Sequence, residues 1–579
     1  MHLAKAMVCC THSQWLGIST GEKTSDLLES DRAQTLLANS PYIEEQCPSL
    51  FVLIGSISKA RAIQELVSVK SPTPAYVHGE VHLHLDPSSA FSKRPIYVAD
   101  GNIPERHRRG KIPPAASCHE TIRHSFRQTG KEPLDASSAA GQVYAQLLHP
   151  FADVFCLFAA DLGGLRGISH QVAAWLNRPQ ASLLPAETYP SLVIVIEDNT
   201  RKGAKVVEDW FFQNLAAEQS LATDTPRSFS DHFSSLEVVM LPQVGKISSS
   251  ARHRRLKDRL LTVSDRIRKH RTSTRTLFSA RHFHAFFRLA CQHLTGGSSE
   301  PFDFVTAARL HNPVPSDLKQ HLSNFVQLVK SPRELIDFAV PAIASALFLD
   351  SYPPDAPSKS PAVPAHAIVL THFPVFSPGS VFERLYKGVC YEASKSAMSN
   401  EHNPSFMLPS AIVKLIQSHF QRYFSAVMQS DSSAFAAESH KGVLQRASGF
   451  WLKLQSRETC LVCLGRRPHI GLPCGHTVCE NCVCVFGCPS SEDPFVYQID
   501  RCFLCNLDAK HKSVRVHPPT AGAGVLSLDG GGVRGILELV FLQLLEDRIG
   551  LPMPVLRNFQ VVFGTSTGRS GPSRCAESC

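Results

Sequence analysis

No stretch of this chain reaches 18 consecutive apolar residues, and the longest candidate, Phe338 to Leu349, has only the length of a core helix. A membrane-spanning helix is therefore not expected. Met1 to Trp15 lack the basic start, apolar run and small-residue cleavage site of a secretory leader, so a cytoplasmic location is expected. Charged residues make up 19% of the chain and the net charge is +9. Most of that excess lies between Arg252 and Arg275, with ten Lys/Arg against two Asp. One local basic cluster does not make a nucleic-acid binder, and no nucleic-acid partner is expected. No internal repeat is visible.

What is present is a long chain of mixed character. At 579 residues it exceeds what one core can organise, and roughly three or four domains are expected. A hydrophobic content of 43% fits a globular protein. Half of the 18 cysteines fall between Cys460 and Cys505. Without a secretion signal, such clustering reads as metal binding rather than disulfides.

Residues 1 to 45 are polar and weakly patterned, and are expected to be poorly ordered. From residue 46 to about 245 the pattern becomes α/β. Apolar β-like runs occur at Ser49–Gly55, Val77–Leu85, Ile96–Asp100, Val154–Ala159, Leu192–Glu197 and Leu236–Leu241, with helical stretches such as Lys59–Val67, Ile168–Leu176 and Lys205–Leu215 between several of them. Such alternation predicts a mostly parallel sheet. The order of strand, loop, helix, then a hairpin ending in an aspartate, resembles the P-loop NTPase family, particularly its GTPase-like branch. The loop Gly55-Ser56-Ile57-Ser58-Lys59-Ala60 is one residue short of G-x-x-x-x-G-K-[ST], lacks the second glycine, and has Ala60 in place of the hydroxyl. By the resemblance, Gly55, Lys59 and Asp100 are the nucleotide-side residues of a degenerate site, and nucleotide is not expected to bind.

Residues 250 to 450 read as helical, with a proline-rich linker at 352–366. Leu256, Leu260, Val263 and Ile267 recur at helical spacing among basic residues, which predicts an amphipathic helix packed on one side and solvated on the other.

Residues 456 to 510 form a cysteine-rich segment: Cys460-x2-Cys463, ten residues, Cys474-x-His476-x2-Cys479-x2-Cys482, nineteen residues, Cys502-x2-Cys505. Each C-x-x-C offers two thiolates on a tight turn, and eight ligands suffice for two closed tetrahedral Zn²⁺ sites. The order and spacing resemble a C3HC4 RING finger. That resemblance implies interleaved sites, Cys460, Cys463, Cys479 and Cys482 holding one ion and Cys474, His476, Cys502 and Cys505 the other. Cys484 and Cys488 are spare and could replace a ligand. Many RING fingers recruit ubiquitin-conjugating enzymes, and Val462 is compatible with that apolar contact. The final pair lacks the proline and the basic residue common in active ligases, so a structural or protein-binding role is the leading expectation for this segment.

Residues 522 to 579 carry two further motifs. Gly524 to Asp529 reads as a strand, Gly530-Gly531-Gly532 as a turn, and Ile536 to Ile549 as a helix with Leu539, Leu542 and Leu545 or Leu544 inward. A glycine turn opening a helix aims unpaired N–H groups at an anion. The run Val561-Val562-Phe563 reads as the next strand, ending in Gly564-Thr565-Ser566-Thr567-Gly568, a G-x-S-x-G elbow. Gly530-x-Gly532-x-x-Gly535 also matches a dinucleotide fingerprint, but Val555 to Phe563 supplies no acidic residue for the ribose.

Together the two motifs resemble the patatin-like phospholipases, which have an α/β/α layered fold and hydrolyse lipid acyl esters with a Ser–Asp dyad. The resemblance covers about residues 522 to 568. It implies Ser566 as nucleophile, Gly530, Gly531 and Gly532 as oxyanion donors, and Arg534 as support for the loop or an anionic head group. No aspartate follows Ser566, and a serine without a base is a poor nucleophile. The expectation is a multidomain α/β protein ending in an incomplete patatin-like domain with little activity as written, whose partner, if active, would be a lipid ester or membrane-surface lipid. The alternative is a zinc-dependent interaction module or ubiquitin ligase acting on a protein partner.

Overall fold

The computed structural model describes residues 12–21, 24–38, 43, 45–67, 79–103, 120–127, 134–197, 203–222, 227–310, 312–352, 376–398, 407–429, 436–517, 522, 524–528, 532, 535–549, 555, 559 and 561–564. The chain divides into two compact units. One comprises residues 1–356, 363–469 and 503–506, the other residues 357–362, 470–502 and 507–579.

The first unit is built on a nine-stranded sheet. Its strands are β1 (Gln14–Thr20), β2 (Ser25–Ser30), β3 (Ser49–Ile54), β4 (Glu80–Leu85), β5 (Ile96–Gly101), β6 (Thr121–Ser125), β7 (Ala152–Phe158), β8 (Ser191–Glu197) and β9 (Leu236–Leu241). Their order in the sheet is β6-β2-β1-β4-β5-β3-β7-β8-β9. From β5 to β9 every pairing is parallel, and from β5 outward to β6 every pairing is antiparallel. The parallel part follows the expected alternation of strands and helices. β3 and β7 are buried at every position, as strands covered on both faces must be.

The N-terminal residues depart from expectation. Part of the segment read as poorly ordered forms β1, β2 and helix α1 (Arg32–Ala38), and it extends the sheet past the β4–β5 hairpin. Tertiary pairing overrides weak local pattern here.

Helices α2 (Ile57–Val67), α3 (Gly164–Leu176) and α4 (Ala204–Ala222) follow β3, β7 and β8 in the chain. The basic helix α5 (Ser249–Ser273) packs on the same sheet, against β7, β8 and β9 and against α2. Leu256, Leu260 and Val263 are buried in a core shared with Leu53, Val154 and Val193, and Ile267 is buried too, so the amphipathic reading holds for the apolar stripe. Its last arginine is not solvated. The Arg271 guanidinium lies 2.9 Å from the Asp153 carboxylate, with the two side chains 6% and 0% exposed. It also donates to the carbonyls of Pro150, Phe151, Ala152 and Thr188. Helix α6 (Ala280–Thr295) covers β2 and β6.

Beyond α6 the unit is helical, as expected. The main helices are α7 (Leu318–Gln327), α8 (Val340–Ser351), α9 (Lys387–Met398), α10 (Pro409–Gln429) and α11 (Ala436–Arg446). α8 is apolar all round and sits against α10 and α11, the burial expected of a helix without a polar face. Nearly all of the predicted linker at 352–366 lies outside the described residues.

In the second unit, β10 (Ile470–Gly471) pairs with β11 (Thr477–Val478), followed by α12 (Glu480–Phe486) and a three-stranded sheet of β12 (Cys488–Pro489), β13 (Val496–Arg501) and β14 (Asp508–Arg515). A separate pair, β15 (Val525–Leu528) and β16 (Val561–Gly564), runs parallel, with α13 (Gly535–Ile549) between them in the chain. Leu528, Leu542 and Val555 form its small core, with Leu545 packed against it. Leu544, read as an alternative inward residue, is exposed.

Candidate metal centre and loop motifs

The ligands of the cysteine-rich segment are brought to tight turns by local hydrogen bonds. Cys460 N–H donates to the Arg466 carbonyl and Leu464 N–H to the Cys460 carbonyl, which bends the first C-x-x-C back on itself. Leu464 adopts φ +52, the left-handed residue that such a turn needs. Gly475, at φ +88, turns the chain between Cys474 and His476.

Two four-residue groups result, each with its ligand atoms within 4.8 Å of one another: Cys460, Cys463, Cys479 and Cys482, and Cys474, His476, Cys502 and Cys505. These are the two interleaved sets that the resemblance to a RING finger implied. The Cys479 and Cys482 sulfurs are 3.5 Å apart. The Cys474 and Cys502 sulfurs lie 3.3 and 3.5 Å from His476 Nδ1. Tetrahedral Zn²⁺ has ligand–ligand edges of ~3.6 to ~3.8 Å for N–S and S–S pairs, so both donor sets fit a zinc ion. Cys484 and Cys488 belong to neither group and are exposed.

The apolar residues around the first ligand pair face inward. Leu461, Val462 and Leu464 are 2%, 0% and 1% exposed. His440 of α11, itself fully buried, places Nε2 2.8 Å from the Val462 carbonyl and Nδ1 2.8 Å from Ser345 Oγ. A carbonyl only accepts, so Nε2 carries the proton and Nδ1 accepts from the serine. Burial pushes the His440 pKa down to about 4, which favours this neutral form. His321 of α7 contacts Thr459 Oγ1 through Nδ1 at 3.0 Å. Val462, compatible by type with an apolar contact to a partner, is thus buried within the chain.

The loop after β3 has the geometry of an anion cradle, and its anion is the chain's own. The Asp161 carboxylate accepts from Ser56 N–H at 2.7 Å, Ser58 N–H at 3.0 Å and Lys59 N–H at 3.0 Å. A Cβ on Gly55 would meet Asp161 Oδ2 at 2.6 Å, so glycine is what admits the carboxylate. Lys59 is turned inward, with Nζ 2.6 Å from Asp100 Oδ1 and 2.7 Å from the Gly101 carbonyl, both charged side chains 1% exposed. Gly55, Lys59 and Asp100 are therefore brought together as the sequence suggested. Asp161 went unnoticed because it lies about a hundred residues away in no motif.

At the C-terminal motifs, Leu528 and Gly564 are register partners at the ends of two parallel strands. Gly532 takes φ +59, open only to glycine without strain. Ser566, Gly530, Gly531, Arg534 and Gly568 lie outside the described residues. Among the described residues, α13 and its strands leave much apolar surface open, including Leu537 at 70%, Phe541 at 62% and Phe563 at 59% exposed.

No protein-family model matches the chain, and no curated protein matches it. Among solved structures the chain is similar to the mammalian SRP receptor, at 12% identity and a TM-score of 0.24, over 37% of this chain and 99% of that one.

Proposed function

We propose that the chain is a multidomain, zinc-stabilised protein that carries the opening part of a patatin-like acyl hydrolase domain, with lipid esters as its substrate class. One observation carries this reading. The register pairing of Leu528 with Gly564 sets the C-terminal ends of two parallel strands side by side, one followed in the sequence by Gly530–Gly532 and the other by Ser566. In an α/β hydrolase the C-terminal ends of adjacent strands are where an oxyanion-binding turn and a nucleophile elbow work on one carbonyl. The open apolar faces of α13, β15 and β16 suit a unit that packs against further layers, since parallel sheets are covered on both faces. Zn²⁺ at the two cysteine-rich groups would supply folding free energy to a segment with little core, and takes no part in ester chemistry.

No aspartate follows Ser566 in these 579 residues, and Glu577 is the one carboxylate side chain that does. Little hydrolysis of a short-chain ester or a phospholipid vesicle is expected, and none that Ser566→Ala abolishes. A clear Ser566-dependent rate would show that a base is supplied from elsewhere in the fold and would overturn this part of the reading.

A second reading is favoured by the burial of Val462. A RING-like module whose apolar contact residue is buried against its own helices acts as an internal scaffold rather than as a ligase. Autoubiquitination lost on Cys474→Ser would refute that. The nine-stranded unit fits a GTPase-like scaffold whose phosphate loop is closed by Asp161.

A further inference from the structure

A third group of metal-ligating side chains sits in the sheet unit, far in sequence from the cysteine-rich segment. Glu29 of β2, His124 of β6 and Cys291 of α6 place one ligand atom each within 4.8 Å of one another. They are 3%, 8% and 0% exposed. Sheet register explains how they meet. His124 is the register partner of Leu27, so it shares a face with Leu27 and, two residues on, Glu29. His124 is the only residue of β6 that is buried. α6 covers this face and delivers Cys291.

The donor chemistry is selective. A carboxylate, an imidazole and a thiol together suit Zn²⁺ better than Mg²⁺ or Ca²⁺, which prefer oxygen-only shells. Glu29 and His124 are already in contact, with Oε2 2.9 Å from Nε2. A buried carboxylate needs compensating positive charge. Zn²⁺ with one carboxylate and one thiolate is charge-balanced. His284 and Arg288 precede Cys291 by seven and three residues, so all three lie on one face of α6. His284 Nδ1, on that face, is buried without a hydrogen-bond partner but lies outside the three-ligand group. Burial, and after it the Glu29 carboxylate, hold the Cys291 thiol well above its ordinary range, with Arg288 opposing them in part, so a metal ion here would bind by displacing the thiol proton.

We propose that Glu29, His124 and Cys291 bind a zinc ion that ties β2 and β6 to α6. The rival is a Glu29–His124 ion pair with Cys291 as a bystander, in which no metal is held. The two differ in stoichiometry. The full chain, produced with zinc and freed of loose metal by brief mild chelation, is expected to hold about three zinc ions, one for each ligand group. Cys291→Ser and His124→Gln should each lower this by one, and Cys474→Ser should leave the third ion in place. Cobalt substitution gives a second readout: Co²⁺ bound with a single thiolate should lose its charge-transfer band in Cys291→Ser while the thiolate-rich bands of the other two sites persist. A metal count and cobalt spectrum unchanged in Cys291→Ser would overturn the proposal, whatever the total in the wild type. Because the readouts are separate, failure of the cysteine-rich sites would leave this test intact.

Discussion

Replacing Asp161 by alanine removes the one group that satisfies three amides of the β3–α2 loop. An aspartate capping a helix start contributes ~0.5–2 kcal/mol over alanine, and its charge at the positive end of the helix dipole ~0.3–1 kcal/mol. The expected loss is therefore about 1–3 kcal/mol, confined to the loop and α2. In a chain of several domains a single global midpoint would blur this. Amide hydrogen exchange of residues 55–67 reports it directly, and exchange by local opening should be roughly 5- to 150-fold faster in Asp161→Ala. Asp161→Asn should fall between, because Oδ2 accepts from Ser56 and Lys59 whereas Oδ1 accepts from Ser58, and only one oxygen survives in the amide. The vacated amides then face solvent as an anion site. Millimolar inorganic pyrophosphate should slow exchange in the alanine variant and not in the wild type. Unchanged exchange in Asp161→Ala would refute the assignment of Asp161 as the loop's resident anion.

Three other outcomes are expected. Asp153→Ala strands the buried Arg271 guanidinium and should cost ~3–5 kcal/mol in urea unfolding of the sheet unit, whereas Glu237→Gln, whose partners Arg259 and Arg266 are about half exposed, should cost under ~1 kcal/mol. Burial pushes His149 down to about 3 and His232 to about 4. The unfolded chain then binds more protons than the folded one below pH ~6.5, so this stability is complete above that pH and lost as pH falls toward 4, by up to about 2.7 kcal/mol per unit. A urea midpoint that stays flat from pH 6.5 to 4.5, or one whose slope is no smaller in His149→Gln/His232→Gln, would contradict it. Stripping zinc with a strong chelator, or Cys474→Ser, should make residues 456–517 protease-sensitive while the sheet unit keeps its exchange protection.

The parts of the fold legible in the sequence are those where burial is total. β3, β7 and β8 read as apolar runs because both faces are covered, and α5 announced itself through Leu256, Leu260, Val263 and Ile267. β6 was not legible: Thr121–Ser125 has one buried side chain and is a strand only because β2 pairs with it. The same holds for Arg271, whose burial depends on Asp153 from another strand. The Cys and His positions of the two cysteine-rich groups were readable because C-x-x-C spacing is local, and the resemblance to a RING finger divided them between the groups. Asp161 and the Glu29–His124–Cys291 group were not, because nothing local in the chain requires their partners.

Interleaving of the two cysteine-rich groups makes metal uptake a linkage problem. Cys474 and His476 lie inside the loop that the first group closes from Cys463 to Cys479, and Cys479 and Cys482 lie inside the loop that the second closes from His476 to Cys502. Each ion shortens the loop that the other must close, and so lowers the entropy opposing it. Half-loaded molecules should consequently be scarce at substoichiometric zinc. By the same coupling, oxidation of any one thiolate pair would cost the segment both ions, so a single local redox event would be felt across the whole of residues 460–505.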